Sequence, residues 1–381
     1  MKLSNIPKSN PCPPLSLKYA KSPFSFHLAD MDFEFSDSIK VALQKRIETP
    51  IFPYSLTPPD FFESIISWYK TKHHFEIQTN QIYRLTGVKN GIIACLNAFT
   101  QINDFVLVLI PSYAGFFKVI NDYERKIVKS QMIWDGDKFE IDFTDFEEKI
   151  KNYKPKIFIL CSPDNPTGRV WNRTELEKII KICNIYNVMV ISDEIYMDIV
   201  HPSKKHLVAS SLDPNIIVLS SCVKSFNVVG LPIAYAIIKN QKFYEKFASV
   251  SKKMNMENNE GEIFGPIVSA AAYNGSEIWL ANITSYIFEN YDFLVKFFEK
   301  HLPQIKACKL EGGFNVFCNY EKLGISEQNF VSITHSAGLI FNMGSNFGYS
   351  EQWLRISIGC ERTRLEQGLV KLLSLFGSSK L

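Results

Sequence analysis

Two residues at the ends of apolar runs carry the chemistry most readily read from this chain. Asp193 closes the run Val188-Met189-Val190-Ile191-Ser192, which reads as a buried parallel strand ending in a carboxylate. Lys224 follows a second run, Asn215-Ile216-Ile217-Val218-Leu219-Ser220-Ser221. A lysine amine can form a Schiff base with an aldehyde, and a strand-end carboxylate can hold a pyridinium nitrogen protonated. That pairing is what a pyridoxal phosphate site requires.

Three further loops sit where such a site would need them. Thr86-Gly87-Val88-Lys89-Asn90-Gly91 lies between a strand and a helix, where free helix N–H groups can face a phosphate; alone, such a glycine-bearing turn is more often only a turn. Asn165-Pro166-Thr167-Gly168 could be a plain β-turn, but its place after a buried strand brings the Asn165 amide to the ligand end of a sheet. Asp193 could simply cap the next helix; Tyr196, three residues on, can share a cleft with it if the chain turns helically there. Lys224 in Ser221-Cys222-Val223-Lys224-Ser225-Phe226-Asn227 would pass for a surface charge if it stood alone.

The elements around these loops predict how they are positioned. From residue 80 strand and helix patterns alternate: strands at Ile82–Leu85, Phe105–Ile110, Ile157–Cys161, Val188–Ser192, Ile216–Leu219 and Ala234–Ile238, with a helix over Asn90–Phe99. Thr174 and Glu177 suggest a capping box ahead of the apolar face Leu176, Ile179, Ile180 and Cys183. This alternation predicts an α/β domain with a mostly parallel sheet, its ligands at the carboxyl ends of the strands. Helices are also expected at Ser36–Arg46 and through Phe61, Ile65, Ile66, Trp68 and Tyr69. Beyond about residue 275, long helices flank short strands at Phe314–Cys318 and Leu354–Ile358, the pattern of a smaller α+β domain. The expected division is a large domain over 38–275 and a small one from 276–381 completed by the arm 1–37.

Composition narrows the class. The 381 residues are 46% hydrophobic and 21% charged with a net charge of +3, which describes a globular protein without the basic stripe of a nucleic-acid binder. The eight cysteines are scattered with no C-x-x-C, as free thiols of a reducing compartment would be. His73-His74 has no nearby cysteine and reads as a solvated helix face rather than a zinc site. The first residues hold no apolar signal core and no run reaches membrane-spanning length, so a cytoplasmic location is expected.

In order along the chain, Asn165-Pro166-Thr167-Gly168, Ser192-Asp193-Glu194-Ile195-Tyr196 and Ser221-x-x-Lys224-Ser225-Phe226-Asn227 resemble the fold-type I pyridoxal phosphate enzymes of the class I/II aminotransferase family. Leu28-Ala29-Asp30-Met31-Asp32-Phe33, with Arg169-Val170-Trp171 and Met197-Asp198 extending two of those motifs, is similar to the MalY/PatB branch of cystathionine β-lyase-like C–S lyases. The resemblance spans about residues 26 to 374. It implies a mixed, mostly parallel sheet flanked by helices, pyridoxal 5′-phosphate as cofactor, an L-amino acid as substrate, and a homodimer whose subunits share each active site.

It also implies roles. Lys224 would carry the Schiff base and move protons, Asp193 would pair with the pyridine nitrogen, and Asn165 and Tyr196 would bond the phenolic oxygen. Tyr113 would lie over the cofactor ring. Gly87 and the backbone amides of Val88 and Lys89, with the Ser221 hydroxyl, would hold the phosphate, and Tyr54 would reach the phosphate of the neighbouring subunit. Arg355 would grip the substrate carboxylate. Two positions depart from the pattern: Pro232 stands where many aminotransferases have a phosphate-binding arginine, which lyases of this branch often lack too, so it tilts toward the lyase, and Phe26 stands where the branch often has tryptophan. The acidic segment Glu257–Glu262 reads as a solvated loop or as a selector of cationic substrates. A β-lyase yielding pyruvate, ammonia and a thiol is the expected activity, an aminotransferase the alternative, and a regulatory protein that binds a partner through its surface a reading of another class.

Overall fold

The structure, a computed structural model, describes residues 24–254 and 261–377. Residues 257–260 of the acidic segment, and most of the expected N-terminal arm, lie outside the described residues. The core element is a seven-stranded sheet in the order Ile82–Leu85, Ala234–Ile237, Ile217–Ser220, Met189–Asp193, Ile157–Cys161, Phe105–Ile110, Lys126–Gln131. The last five pair in parallel, and Ala234–Ile237 runs antiparallel to both of its neighbours. The sheet is therefore mixed and mostly parallel, flanked by helices.

Strand periodicity splits the core in two. Val106, Val108 and Ile110 join Ile157, Ile159, Ile217 and Leu219 on one face, under the helices Val88–Phe99, Ala114–Asp122 and Gln241–Lys253. Leu107, Leu109, Phe158, Leu160, Val190 and Val218 face the opposite core, which continues into the C-terminal half. Side chains that alternate between two covered faces read as unbroken apolar runs in sequence. Polar side chains then have a place only at the strand ends.

The C-terminal half builds a four-stranded antiparallel sheet, Lys306–Ala307, Asn315–Asn319, Trp353–Ser357 and Asn342–Met343, in that order. The helix Glu277–His301 packs beside the closing helix Arg362–Phe376. The described arm joins this half: Phe24–Ser25 pairs in parallel with Leu339–Ile340, Ser357 N–H donates to Phe26 O, and Arg364 meets Asp32.

Two local expectations are corrected. The capping box before Leu176 is built two residues earlier, by Asn172 and Glu175, because Val170 and Trp171 are buried as an extended lead-in and the helix starts at Arg173. His73 is not a solvated face: its side chain is 7% exposed and its Nε2 lies 2.9 Å from Asp198 Oδ1. Of the two histidines, His74 is the exposed one. The seven described cysteines are free and buried, and among the described residues no helix is long and apolar enough to cross a membrane.

The strand bearing Arg355 is anchored by one buried amide. Asn290 Nδ2 donates to Ile358 O (3.0 Å) and Cys360 O (2.8 Å), and its Oδ1 accepts from Arg362 Nε (2.6 Å). Replacing it leaves buried groups without partners, so Asn290→Ala should lose about 1–3 kcal/mol of unfolding free energy in urea titration. No loss would show that the turn after Ser357 holds itself.

Candidate active site

The parallel strands of the large sheet run the same way, so their carboxyl ends meet at one edge. Cys161, Asp193 and Leu219 are level in register. The loops leaving that edge close a cavity of about 660 Å3 lined by Gly87, Val88, Lys89, Tyr113, Asn165, Asp193, Tyr196, Lys224 and Arg355, with His27 to Ala29 from the arm. Nine of the eleven residues singled out from the sequence thus share one wall-to-wall space. Ser221 and Tyr54 do not line it.

Asp193 is buried here and Lys224 half-buried, and each is driven toward its neutral form. Burial foremost, then Arg355, pushes the Lys224 amine down to about 8, against the attraction of Asp30 and Asp193. Burial likewise pushes Asp193 up to about 7, with Glu194 adding and the Ile195 amide and Lys224 opposing. Lys224 Nζ donates to Ala29 O, a contact of the N-terminal arm. Asp193 Oδ1 accepts from Ile195 N at 3.2 Å. A buried carboxylate whose neighbours leave it near neutrality is suited to an incoming cationic ring nitrogen.

Arg355 enters from the small sheet, level with Phe317 and Asn342 on its neighbours. Its Nη1 donates to Asn165 Oδ1 (3.0 Å) and its Nη2 to His27 O (2.6 Å), while its Cζ lies 5.2 Å from the Phe347 ring centre. Its Nε is buried with no hydrogen-bond partner among the described residues. Asn165 is fixed from the other side as well. The turn Asp164–Arg169 closes through Gly168 N to Asp164 O (2.9 Å), with Gly168 at φ +73. Next to it, Arg169 pairs with Glu175 and with Glu311, which also takes the Val170 amide and Lys204.

Tyr196 and Asp193 do share the cleft, because successive turns (Met197 N to Glu194 O, Ile199 N to Tyr196 O) curl the chain between them. Asn315 Nδ2 donates to Tyr196 Oη at 3.3 Å, leaving the phenol its own hydrogen to give. Tyr113 caps the helix Ala114–Asp122 over the cavity. Gly115 makes room for it: a Cβ there would fall 2.3 Å from the Tyr113 ring.

The helix Val88–Phe99 begins at Gly87 with no side-chain cap, so its first N–H groups face the cavity end where an anion would sit. Ser221 lies behind that loop. Its hydroxyl donates to Ile233 O, and it shares a smaller cavity of about 270 Å3 with Gly87, Val88 and Pro232. Tyr54 is 88% exposed on the outer surface. Glu262, the described end of the acidic segment, accepts from Phe264 N and Gly265 N and pairs with Arg84, a structural post. Ala29, His27 and Asn315 escaped sequence reasoning. Two act through backbone carbonyls, which carry no residue signature, and Asn315 meets Tyr196 across 119 positions.

The class I and II aminotransferase family profile matches residues 30–372. The chain belongs to that family. It is accordingly an enzyme, pyridoxal phosphate is its cofactor, and the buried amine, the strand-end carboxylate and the uncapped helix N-terminus fit that group. The chain is 28% identical to cystathionine β-lyase PatB of Bacillus subtilis over 353 residues, 91% of this chain and 90% of that one. It is 26% identical to protein MalY of Escherichia coli, covering 92% and 90%. Cystalysin of Treponema denticola, solved with pyridoxal 5′-phosphate, superposes with a TM-score of 0.92 at 26% identity over 98% of each chain. These likenesses support the MalY/PatB branch.

The low proton affinity of Lys224 has a measurable consequence. Only the free amine attacks an aldehyde, so cofactor-free protein should take up pyridoxal phosphate faster as pH rises through about 8. Between about pH 7 and about pH 9 the free-amine fraction grows roughly tenfold. Stopped-flow absorbance would show it; a break at the ordinary lysine value of 10.5 would contradict the burial argument.

Proposed function

We propose that this enzyme is a carbon–sulfur β-lyase, acting on cystathionine and cysteine-type L-amino acids to give pyruvate, ammonia and a thiol. The observation that carries the reading is the single cavity joining Lys224, Asp193, Asn165, Tyr196 and Arg355 in a chain similar along nearly its whole length to a cystathionine β-lyase. Bound there, pyridoxal phosphate supplies an electron sink that acidifies the substrate Cα–H.

The chain's own groups do the rest. Arg355 receives the α-carboxylate through its unpartnered Nε and the remaining Nη hydrogens, a fork that a lysine cannot copy. Asp193 would pair with the ring nitrogen. Asn165, its Oδ1 engaged by Arg355, would offer its Nδ2 to the cofactor's phenolic oxygen, to which the Tyr196 hydroxyl would also donate. Val88 and Lys89 amides and the helix behind them take the phosphate, with Gly87 leaving the backbone open to it. Tyr113 would stack over the ring. Ser221 supports the phosphate loop from behind.

Lys224 sits where it can take the Cα proton and deliver a proton to the departing sulfur. The Cα–H and Cβ–S bonds break, the thiol leaves, and the three-carbon fragment takes up water to become pyruvate and ammonia. The enzyme works as a homodimer. Tyr54 stands exposed beside exposed Phe52 and Leu56, on a face where a second copy would bury these side chains and bring Tyr54 to the neighbouring phosphate.

Incubation with cystathionine should release pyruvate and free thiol in equal amounts. Keto-acid-dependent amino transfer with no pyruvate would instead establish an aminotransferase. Lys224→Ala should lower turnover by at least about 10²-fold. Arg355→Lys should raise KM by on the order of ten- to a hundredfold.

A further inference from the structure

The strand Asn315–Asn319 of the small sheet opens with a polar side chain in an apolar setting. Asn315 is 4% exposed, and Phe314, Val316 and Phe317 beside it are buried. Its amide makes one bond, from Nδ2 to Tyr196 Oη at 3.3 Å. Its Oδ1 is buried with no hydrogen-bond partner among the described residues.

Asn290 supplies the contrast, since that buried amide engages both of its polar atoms in three bonds. A buried acceptor left empty lowers stability, and a single long bond offsets little of that. As a structural group Asn315 is therefore a poor choice, and a hydrocarbon side chain of its size would suit the place better. Such departures collect where function requires them.

The backbone around Asn315 is stitched to both loops that matter. Glu311 N and Gly312 N each donate to Gly168 O at 2.9 Å, at the end of the turn that carries Asn165. Gly313 N donates to Ile199 O (2.8 Å) and His201 N to Glu311 O (2.9 Å), in the stretch that follows Tyr196. Ile358 N donates to Phe314 O at 2.9 Å from the end of the Arg355 strand. The Phe314 ring meets the Tyr196 ring edge-on, 5.7 Å between centres. The amide is thus held against the phenol from several sides. Tyr196 lines the cavity and Asn315 stands behind it, so Asn315 reaches a ligand only through the phenol.

A phenol has one hydrogen and two lone pairs. With a lone pair taken by the Asn315 N–H, Tyr196 keeps its hydrogen for the cavity, and the donation polarises the O–H into a stronger donor. We propose that Asn315 is a positioning residue that aims the Tyr196 hydrogen at the cofactor's phenolic oxygen and strengthens that bond. The inference rests on the place given to Tyr196 above and is indifferent to whether the enzyme is a lyase or an aminotransferase. Negative charge on the phenolic oxygen helps hold a proton on the imine that Lys224 forms. A stronger donor stabilises that charge and so lowers the imine's proton affinity.

A double-mutant cycle on the pyridoxal phosphate-loaded protein tests this, read by the pH midpoint of its visible absorbance and by its cofactor dissociation constant. Asn315→Leu should raise the imine's proton affinity about threefold, about half a pH unit in the midpoint, and weaken cofactor binding by a similar factor. Tyr196→Phe should raise the midpoint further, and adding Asn315→Leu to it should then change neither reading. Asn315→Ala repeats the test with a side chain that cannot overfill the site. Both readings unmoved by Asn315→Leu, a midpoint that falls, or an equal change in the Tyr196→Phe background would each overturn the proposal. If Tyr196→Phe alone moved neither reading, the phenol's own contact would fail and the proposal with it.

Discussion

Everything at the candidate active site depends on one constraint: the large sheet is covered on both faces, and its parallel strands end together. With apolar side chains filling the faces, polar groups can project only where strands stop. Met189–Asp193 and Ile217–Ser220 are neighbours, so the acid that ends one and the amine that follows the other are brought to a common edge by register alone. Asn165 follows the next strand along, and Tyr113 the one beyond it. The antiparallel strand Ala234–Ile237 breaks the series and sends its carboxyl end to the opposite edge.

Burying an amine and a carboxylate this way is costly, and the fold leaves the cost visible. Lys224 is pushed down and Asp193 pushed up, each chiefly by burial, which the opposite charges nearby only partly offset. A site already holding these groups away from water needs little rearrangement to receive a charged cofactor. The N-terminal arm joins the two halves at this point. Its Ala29 carbonyl accepts from Lys224 and its His27 carbonyl from Arg355, while Asn227 bonds the arm at Met31 and Phe33. The amine of the large sheet and the guanidinium of the small one are thus held by the same short stretch of backbone.

The parts legible in sequence are those with local causes. Strands announced themselves as apolar runs, and Asp193, Lys224 and Asn165 were readable because they punctuate those runs. Gly87 and Gly168 were readable because their loops turn tightly. What stayed hidden depends on where distant elements land. His73 looked like a surface residue until the Asp198 segment, 125 positions later, covered it. The cap at Asn172 was misplaced by two residues because the buried Trp171 lead-in looks no different from a helix start. Tyr54 and Arg355 carry no local signature, and only the family resemblance points to them; Arg355 lines the cavity and Tyr54 does not. The carbonyls of Ala29 and His27 could not be found by residue type, since every residue has one.

On the proposed reading, Lys224 is the amine that holds the cofactor. Borohydride reduction of the pyridoxal phosphate-loaded protein, followed by peptide mass spectrometry, tests it most directly. One reduced adduct per chain is expected, on the peptide containing Lys224. An adduct on Lys89 or any other lysine, with Lys224 unmodified, would contradict it.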